Sequence, residues 1–232
     1  MKRFVIIATI FAAAISVNAQ DFWGFQIGFA QPISRLNAPT NNELTASTYN
    51  GMKVGFVYDA TWFKGFGASI SLNYTFGGYT TDWKKKVSGQ PGNFPQIRAK
   101  GQLHQIELPI DWQYKFEIAQ STWIILYTGP TIQYGLALKD KWYLNNGKEI
   151  TIYDENNIYS VEDMKDYALK HFNVTWGVGA GFQYERYFLR GGYDFGLINP
   201  YKAYQFNETV GEGNPRTRGR FDQWQIKLGV YL

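Results

Sequence analysis

An all-β chain closed into an eight-stranded antiparallel transmembrane β-barrel with long extracellular loops is the fold this sequence predicts. Three observations predict it. Eight stretches alternate apolar residues with polar residues or glycine at period 2, the pattern of a pleated strand whose successive side chains point to opposite faces. The links between them run long, short, long, short, long, short, long, as in a barrel with short periplasmic turns and longer outer loops. Finally, aromatics make up 18% of a chain that holds 24 Gly and has a mean hydropathy of −0.32. No apolar helical span explains so many aromatic side chains in a chain that is polar on average; alternating strands do.

Taken in order, the chain opens Met1-Lys2-Arg3, then Phe4 to Val17 is almost wholly apolar, with Val17-Asn18-Ala19 before Gln20. A basic start, a short apolar run and small residues at the junction make a secretory signal peptide cleaved behind Ala19. The run is shorter than the roughly 20 residues of a spanning helix. Residues 20–232 are then one barrel domain. The chain has no Cys, so neither a lipid-anchored cysteine, nor disulfides, nor thiolate metal ligands are available. The formal charge of +4 falls to +2 when Lys2 and Arg3 leave with the leader, and no basic stripe marks a nucleic-acid partner.

The first strand sets Trp23, Phe25, Ile27 and Phe29 against Gly24, Gln26, Gly28 and Ala30. A loop from Pro32 to about Asn50 is rich in breakers. Met52, Val54, Phe56 and Tyr58 then oppose Lys53, Gly55, Val57 and Asp59. A short link near Thr61–Gly65 leads to Phe66–Gly77, the cleanest alternation in the chain. The loop from Gly78 to Lys100 carries Lys84-Lys85-Lys86, read either as a solvated tip or as a docking site for lipopolysaccharide phosphates.

Two longer runs, Leu103–Phe116 and Ile124–Leu138, form a hairpin around which the rest is organised. In it His104, Ile106, Leu108, Ile110, Trp112, Tyr114 and Phe116 share one face, and Ile124, Leu126, Ile132, Tyr134, Leu136 and Leu138 another. One apolar and one charged or minimal face suits lipid outside and a wet lumen inside. The longest insertion, Lys139–Lys170, mixes aromatics with acids. Phe172–Glu185 and Tyr187–Leu197 follow as strands, then the loop Asn199–Gly219. The last run puts Trp224, Ile226, Leu228, Val230 and Leu232 outward, and Gln223, Gln225, Lys227, Gly229 and Tyr231 inward.

The inward phase collects the charges Lys53, Asp59, Glu107, Asp111, Lys115, Glu185, Arg190, Asp194 and Lys227. They read as a charge-selective solute path or as mutually neutralising pairs. The second reading is favoured, because an eight-stranded barrel is just wide enough for side chains to fill and buried charges persist only when paired. A polar lumen network of Glu107, Asp111, Arg190, Asp194 and Lys227 is therefore expected, and a wide open pore is not. The two histidines, His104 and His171, sit at strand ends, one facing lipid by phase and the other inward. Neither has a Ser or Asp two residues away, and no nucleophile–base signature is present. No catalytic, cofactor-binding or metal site is expected.

At His104-Gln105-Ile106-Glu107-Leu108-Pro109-Ile110, with Tyr127-Thr128-Gly129-Pro130, the sequence resembles the outer-membrane β-barrel family of Bacteroidetes often labelled porin-family or PorT-like. The C-terminal alternation is also similar to the terminal signal of bacterial outer-membrane barrels, with Leu232 in place of the usual aromatic. The resemblance implies a small OmpA/OmpX-like barrel without enzymatic activity, a bacterial outer-membrane location and, in one branch, association with protein secretion. It carries over no catalytic residues.

The function expected is thus a non-enzymatic outer-membrane barrel with a narrow polar lumen. Its partners would be outer-membrane lipid or lipopolysaccharide and other envelope or secretion proteins, met through the extracellular loops. Candidate binding residues are Trp142, Tyr143, Tyr153, Tyr159, Tyr201, Tyr204, Arg216 and Arg218, since Tyr, Trp and Arg dominate interface energetics. The competing readings are an outer-membrane lipid-modifying enzyme or protease with a rim active site, and a secreted lipocalin-like barrel for a small ligand. The Gly, Ser and Thr of the non-apolar face argue against the last, because a soluble surface is rich in Lys and Glu.

Overall fold

Each alternating run is a strand in the computed structural model, which describes residues 20–37, 47–80, 97–144, 170–199 and 218–232. The eight long strands are β1 (Gln20–Asn37), β2 (Asn50–Thr61), β3 (Phe66–Thr80), β4 (Ile97–Ala119), β5 (Thr122–Leu144), β6 (Phe172–Tyr184), β7 (Tyr187–Gly196) and β8 (Arg218–Tyr231). Each pairs antiparallel with its neighbours in sequence, and β1 pairs with β8 from Gly24↔Tyr231 to Asn37↔Arg218. That last ladder closes the sheet on itself, so the backbone satisfies its own hydrogen bonds, as a spanning structure in lipid must. A two-residue piece, Ser47–Thr48, lies against Ile33 and Ser34 of β1.

The two faces follow the pleat. All eight strands turn large apolar side chains outward and exposed, Trp23 at 63% and Leu228 at 56% among them. Aromatic pairs gather toward both ends of this wall. Trp23–Tyr58 (centroids 4.7 Å apart) and Tyr114–Phe116 (4.5 Å) lie toward the short turns. Phe29–Trp224 (5.3 Å) and Tyr193–Phe195 (4.7 Å) lie toward the long connections. Such girdles suit the two membrane–water interfaces. The inward face is small or polar. Gly179 and Gly192 flank Tyr127, and a Cβ at either would strike its ring or hydroxyl. In the same way a Cβ at Gly229 would strike Phe188. Glycine here makes room inside a narrow barrel.

The short ends are tight. Lys64 (φ 52°) and Gly65 (φ 86°) turn β2 into β3, Ser121 (φ 58°) turns β4 into β5, and Glu185 (φ 50°) turns β6 into β7. Glu185, expected in the lumen, is exposed in that turn instead, because the alternation of β6 stops at Tyr184. His171, which phase placed inward, precedes the first residue of β6. Its ring stacks on the outward Tyr134 (5.8 Å, 25°), and its Nδ1 donates to the Gly135 carbonyl at 2.6 Å.

The strands also run further than alternation showed. β4 and β5 continue as a hairpin from Ile97↔Leu144, so Trp142 and Tyr143, expected in a loop, belong to β5 opposite Ala99 and Arg98. Arg218, also assigned to a loop, starts β8 opposite Asn37. A bulge interrupts the hairpin: Gln105 pairs with Gly135 but His104 with Ala137, leaving Leu136 as the extra residue. Beyond the bulge Leu138 pairs with Leu103, whose own side chain is buried in the lumen. The leader at 1–19, Lys84-Lys85-Lys86, Tyr153, Tyr159, Tyr201, Tyr204 and Arg216 lie outside the described residues.

Candidate functional site

The lumen is where sequence and fold bring chemistry together, because every strand turns its alternate residues into one narrow space. In a ring of eight, strands four apart face each other across the axis. Side chains from β3 and β7 touch, as do side chains from β4 and β8. Arg190 Nη1 (β7) donates to Ser69 Oγ (β3) at 3.0 Å, and Gln105 Nε2 (β4) donates to Gln223 Oε1 (β8) at 3.2 Å. The lumen is therefore bridged wall to wall at two heights.

The lower bridge, nearer the short turns, is built on Asp59. Its carboxylate receives Arg190 Nη2 at 2.5 Å, Tyr231 Oη at 2.6 Å, Gln113 Nε2 at 2.5 Å and Lys115 Nζ at 3.1 Å. Arg190 also donates to Gln113 Oε1 and Tyr231 Oη, and its guanidinium lies 5.2 Å from the centroid of the Phe188 ring. Lys115 reaches on to Gln183 Oε1 at 3.1 Å. Asp59 is fully buried, and two cations with two neutral hydrogen-bond donors are what such a carboxylate needs to stay charged.

The upper bridge is built on Glu107. Lys53 Nζ lies 2.5 Å from Oε2, while Thr75 Oγ1 (2.5 Å) and Gln105 Nε2 (2.7 Å) donate to Oε1. Lys53 also reaches Gln225 Oε1 at 2.6 Å. Gln225 Nε2 in turn donates to Asp194 Oδ2 at 2.9 Å, and Gln223 Nε2 to Glu107 Oε2 at 3.3 Å. Toward the long connections Tyr49, Leu103 and Phe221 add an apolar layer inside the barrel, with Tyr79 edge-on to Tyr49 at 4.8 Å.

The five expected network residues are thus all buried in the lumen, but they are not joined to one another as a set. Glu107 pairs with Lys53 and Arg190 with Asp59, while Asp194 is held by glutamine amides. Asp111 and Lys227 stand apart. The connecting glutamines, at 105, 113, 183, 223 and 225, fall on the inward phase that alternation shows, but the expected network counted only charged residues. Each offers a donor and an acceptor, which lets it join two charged groups that do not reach each other.

The two motif pieces prove to be neighbours. Pro109 of β4 faces Thr131 of β5, and the ladder resumes only at Trp112↔Thr128, so Ile110 and Asp111 are unpaired opposite Gly129-Pro130. Proline brings no N–H to a ladder, and two of them here leave a break in the wall beside Asp111. On the outer face next to this break, Trp176 Nε1 donates to Thr128 Oγ1 at 2.9 Å and Thr128 Oγ1 to the Gly177 carbonyl at 2.8 Å. Polar atoms turned toward lipid find partners within the wall itself.

Asp222 is the group that alternation mispresents. It sits at an outward phase of β8 yet is fully buried, because β7 leaves the ladder after Asp194↔Gln223. The Asp222 carboxylate takes over where the ladder ends. It accepts from Gly196 N (2.9 Å), Tyr193 Oη (3.0 Å) and Arg220 Nε (2.7 Å), and so fastens β7 to β8 by a side chain. His104 bonds Tyr74 at 2.6 Å, with no nucleophile in the contact. Among the described residues no group of three or more His, Cys, Asp or Glu is placed to hold a metal ion.

The family model described as outer membrane protein beta-barrel domain matches residues 17–201. The chain belongs to this outer-membrane barrel family. No curated protein matches its sequence. Solved barrels similar to this outer-membrane barrel include Ail, the attachment invasion locus protein of Yersinia pestis (11% identity, 91% of this chain and 99% of that one, TM-score 0.39). Neisserial surface protein A is similar at 12% identity, 90% and 97% coverage and TM-score 0.39. The N-terminal barrel of Pseudomonas aeruginosa OprF is similar at 10% identity, 88% and 96% coverage and TM-score 0.25.

Proposed function

We propose that this outer-membrane barrel is a non-enzymatic surface protein whose partners are met by its long connections while its lumen stays closed to solutes. The observation that carries this reading is the pair of wall-to-wall contacts, Arg190 to Ser69 beside Asp59 and Gln105 to Gln223 beside Glu107. A lumen crossed at two heights by buried charged and amide side chains has no room for substrate traffic, which leaves the ends of the barrel to act. The leader at 1–19 would deliver it through the envelope, with lipopolysaccharide around its outer rim and envelope or secretion proteins on its loops. The motif at His104–Ile110 and Tyr127–Pro130 supports placing it near the PorT-like porins of Bacteroidetes.

The test has two arms. In planar bilayers the purified barrel should show no large, steady conductance; such a conductance refutes the closed lumen. Deleting residues 146–167 should leave outer-membrane insertion and heat-dependent gel mobility intact while abolishing partner capture in surface-crosslinked cells. Undiminished capture by the shortened barrel refutes the role of that connection.

A further inference from the structure

The barrel end that carries the short turns holds a cavity of about 580 Å3, within the size range of small-ligand pockets. Its floor is the lower bridge. Lys115 lines the cavity, with Nζ 3.1 Å from Asp59 Oδ1, 3.1 Å from Gln183 Oε1 and 5.8 Å from the centroid of the Phe22 ring. An ammonium has three N–H donors, so one remains beyond those two acceptors. The bridge sets two cations, Arg190 and Lys115, on the single carboxylate of Asp59, which leaves this floor net positive. The exposed rim leans the other way, with Glu117 and Glu185 against Lys64.

Between floor and rim the wall is aromatic. Phe22, Trp62 and Trp123 line it, and Trp123 stands in the ladder between Glu117 of β4 and Gln183 of β6. Trp62 Nε1 and Thr61 Oγ1, on two lining residues, are buried without a partner among the described residues. A buried polar atom left unpaired is costly, and oxygen atoms brought by a ligand relieve that cost. The turn that holds Trp62 is fixed in place. The Trp62 backbone N–H donates to the Phe66 carbonyl at 2.7 Å, and a Cβ at Gly65 would strike the Lys115 carbonyl of β4. The cavity is therefore formed before any ligand arrives, and little ordering opposes binding.

These features select a ligand with a charge at each end. A positive floor takes a carboxylate, an aromatic wall takes apolar side chains, and an acidic rim takes an ammonium. Lys115 and Glu117 are two residues apart on β4, which sets floor and rim about 7 Å apart along the strand. An extended peptide of two or three residues spans about 7–11 Å. A single amino acid carries both charges on one carbon and cannot reach both. We propose that the short-turn mouth binds a zwitterionic peptide of two or three residues. Its carboxylate sits on Lys115, its apolar side chains lie among Phe22, Trp62 and Trp123, and its ammonium meets Glu117 and Glu185. In outer-membrane barrels the short turns face the periplasm, so the ligand is a periplasmic peptide. The site goes beyond the surface role proposed above and does not depend on it, since it lies at the opposite end of the barrel.

The probe is the tripeptide Ala-Ala-Phe, titrated calorimetrically into the folded barrel in lipid nanodiscs. It should bind with Kd below about 1 mM, and the indole N–H resonances of Trp62 and Trp123 should shift while that of Trp224 stays. Amidating the peptide's C-terminus should weaken binding about tenfold, the scale of a hydrogen bond to a charged group. Acetylating its N-terminus should weaken binding about threefold, because exposed ion pairs contribute less. Lys115→Met should reproduce the first loss and leave the affinity of the amide unchanged. Glu117→Gln with Glu185→Gln should reproduce the second and leave that of the acetylated peptide unchanged. The rim positions are exposed, so they decide the matter where Lys115→Met does not fold. No binding at about 1 mM peptide, or an affinity indifferent to either cap, overturns the proposal. The barrel lacking residues 146–167 should bind the peptide as the full chain does; loss of binding there moves the site to the long connections and overturns the proposal as well.

Discussion

Replacing Arg190 by Met tests how the lower bridge is built. Arg190→Met removes the ion pair to Asp59 and the donors to Ser69, Gln113 and Tyr231. Breaking a buried pair by removing one partner costs about 3–5 kcal/mol. Asp59 keeps Lys115 at 3.1 Å, Gln113 Nε2 at 2.5 Å and Tyr231 Oη at 2.6 Å, so its carboxylate is not stranded. The loss should therefore fall at the low end, about 3 kcal/mol. Asp59→Leu should cost more, about 5 kcal/mol, because it leaves Arg190 and Lys115 buried together with no anion between them. The double variant should recover about 2 kcal/mol relative to the sum, the signature of groups in direct contact. Reversible urea unfolding in lipid vesicles, followed by gel mobility and tryptophan fluorescence, measures all three. A change within about 0.5 kcal/mol for Arg190→Met, the size of an ordinary surface substitution, would refute the bridge as a structural element. So would a larger loss for Arg190→Met than for Asp59→Leu, because the charge accounting makes Asp59 the hub.

Two further predictions concern the wall rather than the lumen. Asp222→Ala strands the Gly196 N–H and Tyr193 Oη and releases Arg220. Hydrogen exchange at Gly196 should accelerate while the middle of β7 stays protected, with about 1–3 kcal/mol lost; unchanged exchange at Gly196 would show that the carboxylate does not fasten β7 to β8. Thr128→Val leaves Trp176 Nε1 without its acceptor on the lipid-facing side. A loss of about 1 kcal/mol, the scale of side-chain hydrogen bonds in membranes, should be regained by adding Trp176→Phe, and a double variant no more stable than the single one would show that the bond contributes nothing.

Much of this architecture was legible in the chain itself, for a physical reason. A strand that spans lipid must show apolar residues at every second position, so faces, strand number and the order of short and long links are written in period 2. That pattern determined that Trp23, Phe25 and Ile27 face outward and that Glu107, Arg190 and Lys227 face inward. Composition, with no Cys in the chain, excluded disulfides and thiolate ligands separately. Local pattern ends where partners come from elsewhere in the ring. Nothing near Arg190 in sequence names Asp59, 131 positions away, as its partner, or Ser69 on the opposite wall. Closure of the barrel chose those pairs. The bulge at Leu136, invisible to periodicity because leucine is apolar on either face, shifted the register so that Gln105 pairs with Gly135 but His104 with Ala137. The early end of the β7–β8 ladder buried Asp222 on the side where alternation promised lipid. Sequence alone determined most of the residues that enter the lumen; only the closed ring decided which of them meet, as Arg190 meets Asp59 and Lys53 meets Glu107.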